Sequence, residues 1–207
     1  LGANEAPPAI MSVYLGDTLT DVVESIIGGT EVKKKGAAFL DIGVTSLPPL
    51  PLHDSDRNRT SPFAFTANKF EFRAVGSGQN IARPNMVINA IVAESLQFMA
   101  DEIEKALKKE KDFNAAVRGV VQRVLTEHQA VLFGGDGYSA EWHKEAEKRG
   151  LANLRTTVDA IPAFITKKSV KLFSDLGILT EAELHSRYHV KLETYVKMTS
   201  IEAGLMS

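Results

Sequence analysis

Apolar positions change their spacing along the chain, and the change divides it in two. Between Met11 and Ile27 the apolar residues Val13, Leu15, Leu19, Val22, Val23, Ile26 and Ile27 predict a short helix that Gly28-Gly29 stops. Ala37 to Val44 reads as a strand, the Lys33-Lys34-Lys35 run before it as a solvated turn, and Pro48-Pro49-Leu50-Pro51 as an extended, linker-like piece. Seven of the eight prolines (Pro7, Pro8, Pro48, Pro49, Pro51, Pro62, Pro84) lie in this first part. Proline neither donates to a ladder nor continues a helix, so loops and short strands are expected there.

Beyond residue 84 the spacing becomes helical. Asn85 to about Lys109 begins with Met86, Val87, Ile88, Ala90, Ile91, Val92 and Ala93, apolar all round, which predicts a buried end. Asp112 can cap a helix running from Phe113 to about Val131, with Ala116, Val120, Val121, Val124 and Leu125 inward. Ser139 opens a short helix that Gly150 closes, and Thr166 to Leu176 forms another ahead of Gly177. Thr180-Glu181-Ala182-Glu183 is a capping box for a long last helix. The fold class implied is α+β.

Lys69-Phe70-Glu71-Phe72-Arg73 alternates strictly, so it is a strand with two unlike faces. Phe70 and Phe72 point to one side to pack. Lys69, Glu71 and Arg73 point to the other, about 6–7 Å apart in steps of two residues. Such a strand is either an edge with a solvated face or a carboxylate for Mg²⁺ set between two phosphate-binding cations. Arg57 and Arg59, in Asp54-Ser55-Asp56-Arg57-Asn58-Arg59, either clamp phosphate bidentately or pair with their aspartates on the surface. Glu5, in Gly2-Ala3-Asn4-Glu5-Ala6-Pro7-Pro8, is an ordinary loop acid or sits on a mobile lid.

Composition narrows the class. The 207 residues carry 24 Lys plus Arg against 26 Asp plus Glu, a net charge of −2, with 44% hydrophobic residues and no cysteine. Disulfide scaffolds, thiol catalysis and cysteine-based zinc sites are excluded, and the charge balance argues against non-specific nucleic-acid binding. No apolar run approaches the roughly 20 residues of a membrane span. A cytoplasmic protein without membrane or nucleic-acid partners is the expectation. Gly134-Gly135-Asp136-Gly137 lacks the ending of a phosphate loop and reads as a helix-ending turn. His185 and His189 have ligand spacing with Glu181, yet a surface or packing role is the ordinary one. Trp142 and Tyr138 read as core or interface anchors.

Leu1 to Pro8, Asp56-Arg57-Asn58-Arg59-Thr60-Ser61-Pro62-Phe63-Ala64-Phe65 and Asn68 to Arg73 together resemble glutamine synthetase, in particular its long type III class. The resemblance continues through Arg83 to Ser95, Gly137 to Trp142, Asn153 to Ala160 and Thr180 to Tyr188, so it covers essentially the whole chain. It implies residues 1–100 as the C-terminal part of a catalytic β-sheet or barrel domain, half of that domain, and 101–207 as a truncated helical region of the type III class.

The same resemblance implies ATP-dependent ligation of ammonia to L-glutamate through γ-glutamyl phosphate, with Mg²⁺ or Mn²⁺. It further implies a homo-oligomer of stacked rings, expected to be a dodecamer. Matched by motif, Glu5 looks like the flap glutamate that takes a proton from the attacking nitrogen. Glu71 looks like the metal ligand, and Arg73 like the arginine that holds the phosphoryl group and substrate. Arg59, with Arg57 beside it, and Lys69 look like the ATP-phosphate cations. Two positions depart from the better-known classes, which carry arginine at the places of Lys69 and Ala64.

The family's remaining metal and nucleotide ligands lie upstream of Leu1 in this alignment of motifs. The chain is therefore expected to be a fragment, inactive alone. The alternatives are a non-catalytic helical interaction module and a ligase that joins glutamate to another amine.

Overall fold

A computed structural model describes residues 10–31, 39–40, 50–51, 61–66, 68–73 and 80–206, with backbone alone at 39–40 and 50–51. Two compact units are present. Among the described residues, one comprises those from 10 to 73 together with 105–153, the other 80–104 and 154–206.

The first unit carries a three-stranded sheet. Strand β1 (Val13–Tyr14) pairs in parallel with β4 (Phe63–Thr66), and β4 pairs antiparallel with β5 (Lys69–Phe72). Leu132 adds a parallel bridge to Val13, and the Phe133 N–H donates to the Val13 carbonyl at 3.0 Å. Where β1 and β4 begin, the buried Ser12 and Ser61 hydroxyls satisfy each other at 2.8 Å. Strands β2 (Phe39–Leu40) and β3 (Leu50–Pro51) form a separate antiparallel pair. Leu50-Pro51, expected as linker, is thus a paired strand. The rest of the expected Ala37–Val44 strand and the Lys33–Lys35 turn lie outside the described residues.

Helix α1 runs Gly16–Gly28, not from Met11. Val13 and Tyr14 leave the helical pattern because Phe63 and Ala64 offer them a parallel ladder. Gly16 at φ 74° turns the chain from strand to helix, and Gly29 at φ 64° ends the helix in the left-handed region. Against α1 packs α3 (Phe113–Glu127), burying Ala116 and Val120, and Gln122 Nε2 donates to the Ile27 carbonyl at 2.8 Å. Asp112 caps α3 by accepting from the Asn114 N–H at 2.9 Å. A single 3₁₀ turn (Gln129–Val131) and the Leu132 bridge follow, so the Gly134–Gly137 run links a sheet bridge to a helix and does not end one.

Helix α4 (Ala140–Lys148) starts on Ser139, whose side chain accepts from the Trp142 N–H at 3.1 Å. It closes a core of Ile10, Trp142 and Ala146 with Phe133 and Leu151 against it. Trp142 is buried as expected; Tyr138 is half exposed.

The second unit contains most of α2 (Ala82–Leu107), then α5 (Thr157–Ala160), a 3₁₀ segment (Ile161–Ile165), α6 (Lys167–Asp175) and α7 (Glu181–Met206). Its core is Ala90, Phe173, Leu179 and Leu184, with Met86, Val87 and Phe164 packed on it. The expectation of an all-round buried start to α2 is not met. Only Ala90 is buried, while Ile91 is 49% and Leu96 63% exposed. One stripe of the helix meets the core of this unit, and its remaining apolar side chains face outward.

The capping box of α7 forms as the sequence predicts. The Thr180 N–H donates to Glu183 Oε2 at 2.8 Å, and the Glu183 N–H donates to Thr180 Oγ1 at 3.3 Å. Donation from the Thr180 backbone and then its hydroxyl holds the Glu183 carboxyl below the usual carboxylate range. A depressed folded-state value gives stability that is present above the ordinary glutamate range and lost as pH falls through the lowered value. Protection of the amides at the start of α7, after correction for the intrinsic pH dependence of exchange, is therefore expected to fall on acidification over that window, and Glu183→Ala should remove the pH step.

Candidate functional site

Register builds the site. Thr66 stands opposite Lys69, Phe65 opposite Phe70, Ala64 opposite Glu71 and Phe63 opposite Phe72. Cross-strand partners share a face, so Lys69 and Glu71 lie beside Thr66 and Ala64, and the phenylalanines gather on the other side. Phe70 stacks on Phe63 with centroids 5.3 Å apart and planes 9° from parallel, and meets Phe65 at 5.3 Å. It nevertheless remains 46% exposed, so the aromatic face is less covered than the alternation suggests. Arg73 extends the ladder past β5 by donating its N–H to the Pro62 carbonyl at 2.7 Å. That bond fixes its backbone in line with the other two ionic residues.

Glu71 is the hub of this face. Its Oε1 meets Lys69 Nζ at 3.2 Å, and its Oε2 accepts from Arg73 Nε and Nη2, each at 3.4 Å. Side-chain exposure falls along the row: 65% for Lys69, 36% for Glu71, 20% for Arg73. Donation from Lys69, then from Thr66, with the Arg73 guanidinium adding to it, holds the Glu71 carboxyl below its usual range. The carboxylate is thus ionised and reachable from solvent at neutral pH. An exposed ion-pair row of this kind contributes little to stability, which leaves the arrangement available for chemistry.

Thr66 is a participant the sequence reading missed. Its hydroxyl donates to the Lys69 carbonyl at 3.5 Å and helps to hold the Glu71 carboxyl below its usual range. The signal was the spacing of Thr66 and Lys69 about a two-residue turn, which sets the register that brings threonine to the charged face. Ala64 is fully buried beneath Glu71. Lys69, Glu71 and Arg73 are therefore brought together, whereas Glu5, Arg57 and Arg59 lie outside the described residues.

The donor chemistry of Glu71 fits a hard divalent cation, because the ligand form of a carboxylate is the ionised one. Among the described residues no group of three His, Cys, Asp or Glu could hold a metal, and His185 with His189 and Glu181 is no exception. The Tyr188 ring meets His189 edge-on at 5.1 Å, a packing contact.

Residues 116–207 match the family described as the glutamine synthetase C-terminal domain. The chain belongs to the glutamine synthetase family. Over 204 residues, 99% of the chain, it is 49% identical to the type-3 glutamine synthetase of Dictyostelium discoideum, of which it covers 28%. It is 35% identical over 209 residues to a glutamine synthetase of Bacteroides fragilis and 36% identical over 216 residues to one of Butyrivibrio fibrisolvens, covering the whole chain and 29% of each relative. The chain thus spans less than a third of the length of these relatives.

Proposed function

We propose that the protein to which this chain belongs joins ammonia to L-glutamate with ATP. One observation carries the reading: a 49% likeness to a type-3 glutamine synthetase that runs through 99% of the chain, the ionic strand included. In this reaction the γ-carboxylate of glutamate attacks the terminal phosphorus of ATP, releasing ADP and forming γ-glutamyl phosphate. Ammonia then attacks the acyl carbon, phosphate departs, and the extra proton on nitrogen is taken up. The proposed substrates are L-glutamate, ammonia and ATP, and the proposed metal is Mg²⁺ or Mn²⁺.

Such chemistry is mostly positioning and charge compensation. Arg73, whose side chain is less than a third as exposed as that of Lys69, is proposed to hold the transferring phosphoryl group and the substrate through its planar fork. Lys69 supplies a mobile positive charge at the solvent end of the row. Glu71 is the proposed metal ligand; a bound divalent ion would neutralise phosphoryl oxygens there. Arg57 and Arg59 are proposed to hold ATP phosphates. Glu5 is proposed to close over the site, keep water from the acyl phosphate and accept the proton. Residues 1–100 are proposed as the end of the catalytic domain, 101–207 as the helical region of the type III class, and the working unit as a ring-shaped homo-oligomer. No helix among the described residues is long and apolar enough to cross a membrane, and the cytoplasm is the proposed location.

The test is a purified-protein assay with glutamate, ammonia, ATP and Mg²⁺. Glutamine and phosphate should appear in equal amounts, and both should require ammonia. Formation of a γ-glutamyl amide from another amine with no glutamine from ammonia, or phosphate release indifferent to ammonia, would replace this reading with a different ligase.

A further inference from the structure

The second unit holds a cluster of cations that the ligase reading does not use. Arg83 lies in the first turn of α2, where a positive charge opposes the helix dipole. Arg187 and Lys191 lie on α7, four residues apart and so on one face. A cleft of about 340 Å³ opens between these helices, lined by Arg83, Glu183, Ser186, Arg187 and Val190. That volume is at the small end of ligand sites. The Arg83 guanidinium is also held over the Phe164 ring, 5.8 Å from its centroid, so its direction is set by packing.

The three cations feel one another. Burial first, and then the charge of Arg187, lowers the proton affinity of Arg83; burial and then Arg83 do the same to Lys191. The acidic group in the lining, Glu183, accepts from Thr180 in the capping box and also feels the Arg187 charge, so it offsets only part of the repulsion. Like charges gathered beside a cleft store repulsion that a bound anion relieves, and two guanidinium forks with a serine hydroxyl supply the donors that oxyanions take. A singly charged ion would leave most of that repulsion in place.

We propose that the cleft between the starts of α2 and α7 binds a small oxyanion carrying two or more negative charges, of the phosphate or polycarboxylate kind. The site does not depend on the ligase reading, since it shares no residue with the β5 row. Arg187 provides the adjustable charge and Arg83 the fixed one, with Lys191 four residues further along α7.

Calorimetric titration of the intact protein with inorganic pyrophosphate, citrate and acetate, at constant ionic strength, tests this. Pyrophosphate or citrate should bind, with the tighter of the two naming the ligand's chemistry, and acetate should not. Arg187→Gln, at an exposed position, should weaken that binding by roughly tenfold, a loss of about 1.4 kcal/mol. Glu183→Gln removes the opposing charge, so it should tighten binding, a gain that misfolding cannot mimic. Because Arg187 and Glu183 lie outside the β5 row, a change of affinity in these variants separates the cleft from any pyrophosphate held at that row. Equal affinities for the unmodified protein, Arg187→Gln and Glu183→Gln, or acetate binding as well as the polyanions, would overturn the proposal.

Discussion

Glu71→Ala is expected to reduce glutamine formation by roughly 10²–10³-fold or more while leaving the fold intact. The size follows from the proposed role, in which one preorganised charged group is lost from a centre where charge is being moved. The intact fold follows from position: the Glu71 side chain is 36% exposed, and surface ion pairs contribute about 0–1 kcal/mol. Loss of the carboxylate also leaves Lys69 and Arg73 without the anion they share, so phosphate-bearing substrates should be held differently even before the reaction. Thr66→Val is the graded companion. It keeps the shape beside Glu71 and deletes a hydroxyl that helps to hold its carboxyl low, and if Glu71 has the proposed metal-ligand role, supporting partners of such ligands typically change affinity by about 10–100-fold. The expected sign is a higher requirement for Mg²⁺ with a smaller fall at saturating metal. Steady-state rates across a Mg²⁺ series separate the two variants. Near-normal turnover by Glu71→Ala would remove the metal-ligand role and with it the reading of the strand as a catalytic element.

How much of this was legible depended on how local the determining interaction was. The β5 row could be read from five residues, because a period of two places Lys69, Glu71 and Arg73 together whatever else the chain does. Caps were equally local: Asp112, Ser139, Thr166 and Thr180 each satisfy an N–H only two or three residues away. Thr156 carries the same signal, accepting from the Asp159 N–H at 3.1 Å, but the four-residue α5 it opens is too short for periodicity to register. Strand β1 failed for the opposite reason. Val13 and Leu15 fit a helical stripe, and what makes Val13 a strand residue is Phe63, far along the sequence. The cationic cleft was invisible in the same way, since Arg83 and Arg187 line it from two helices far apart in sequence. Exposure of Ile91 and Leu96 on α2 is likewise a property of what packs nearby, not of the helix's own composition.

Trp142→Ala should be the most damaging single change to stability in the first unit, costing about 3–5 kcal/mol. Trp142 is 2% exposed and stacks on Phe133 with centroids 3.7 Å apart and planes 13° from parallel. Above it lies the Arg149 guanidinium, 5.4 Å from the ring, which also donates to the Ala130 and Leu132 carbonyls at 3.3 and 2.9 Å and to Glu145 at 3.0 Å. The indole is therefore the floor on which an arginine ties α4 to the segment that bridges to β1. Removing it opens a cavity between Ile10 and Ala146 and frees that arginine. Trp142→Phe should behave differently. Among the described residues the buried Nε1–H has no hydrogen-bond partner, a cost of about 1–3 kcal/mol that phenylalanine does not carry. The smaller ring loses contacts but keeps the stack, so its net effect is expected below about 1.5 kcal/mol. Hydrogen exchange at the amides of α4 and at Phe133, whose N–H holds the Val13 carbonyl, reads both variants directly. Protection should collapse in Trp142→Ala and persist in Trp142→Phe; equal loss in the two would mean that the full area of the indole, not the stack on Phe133 alone, holds this unit together.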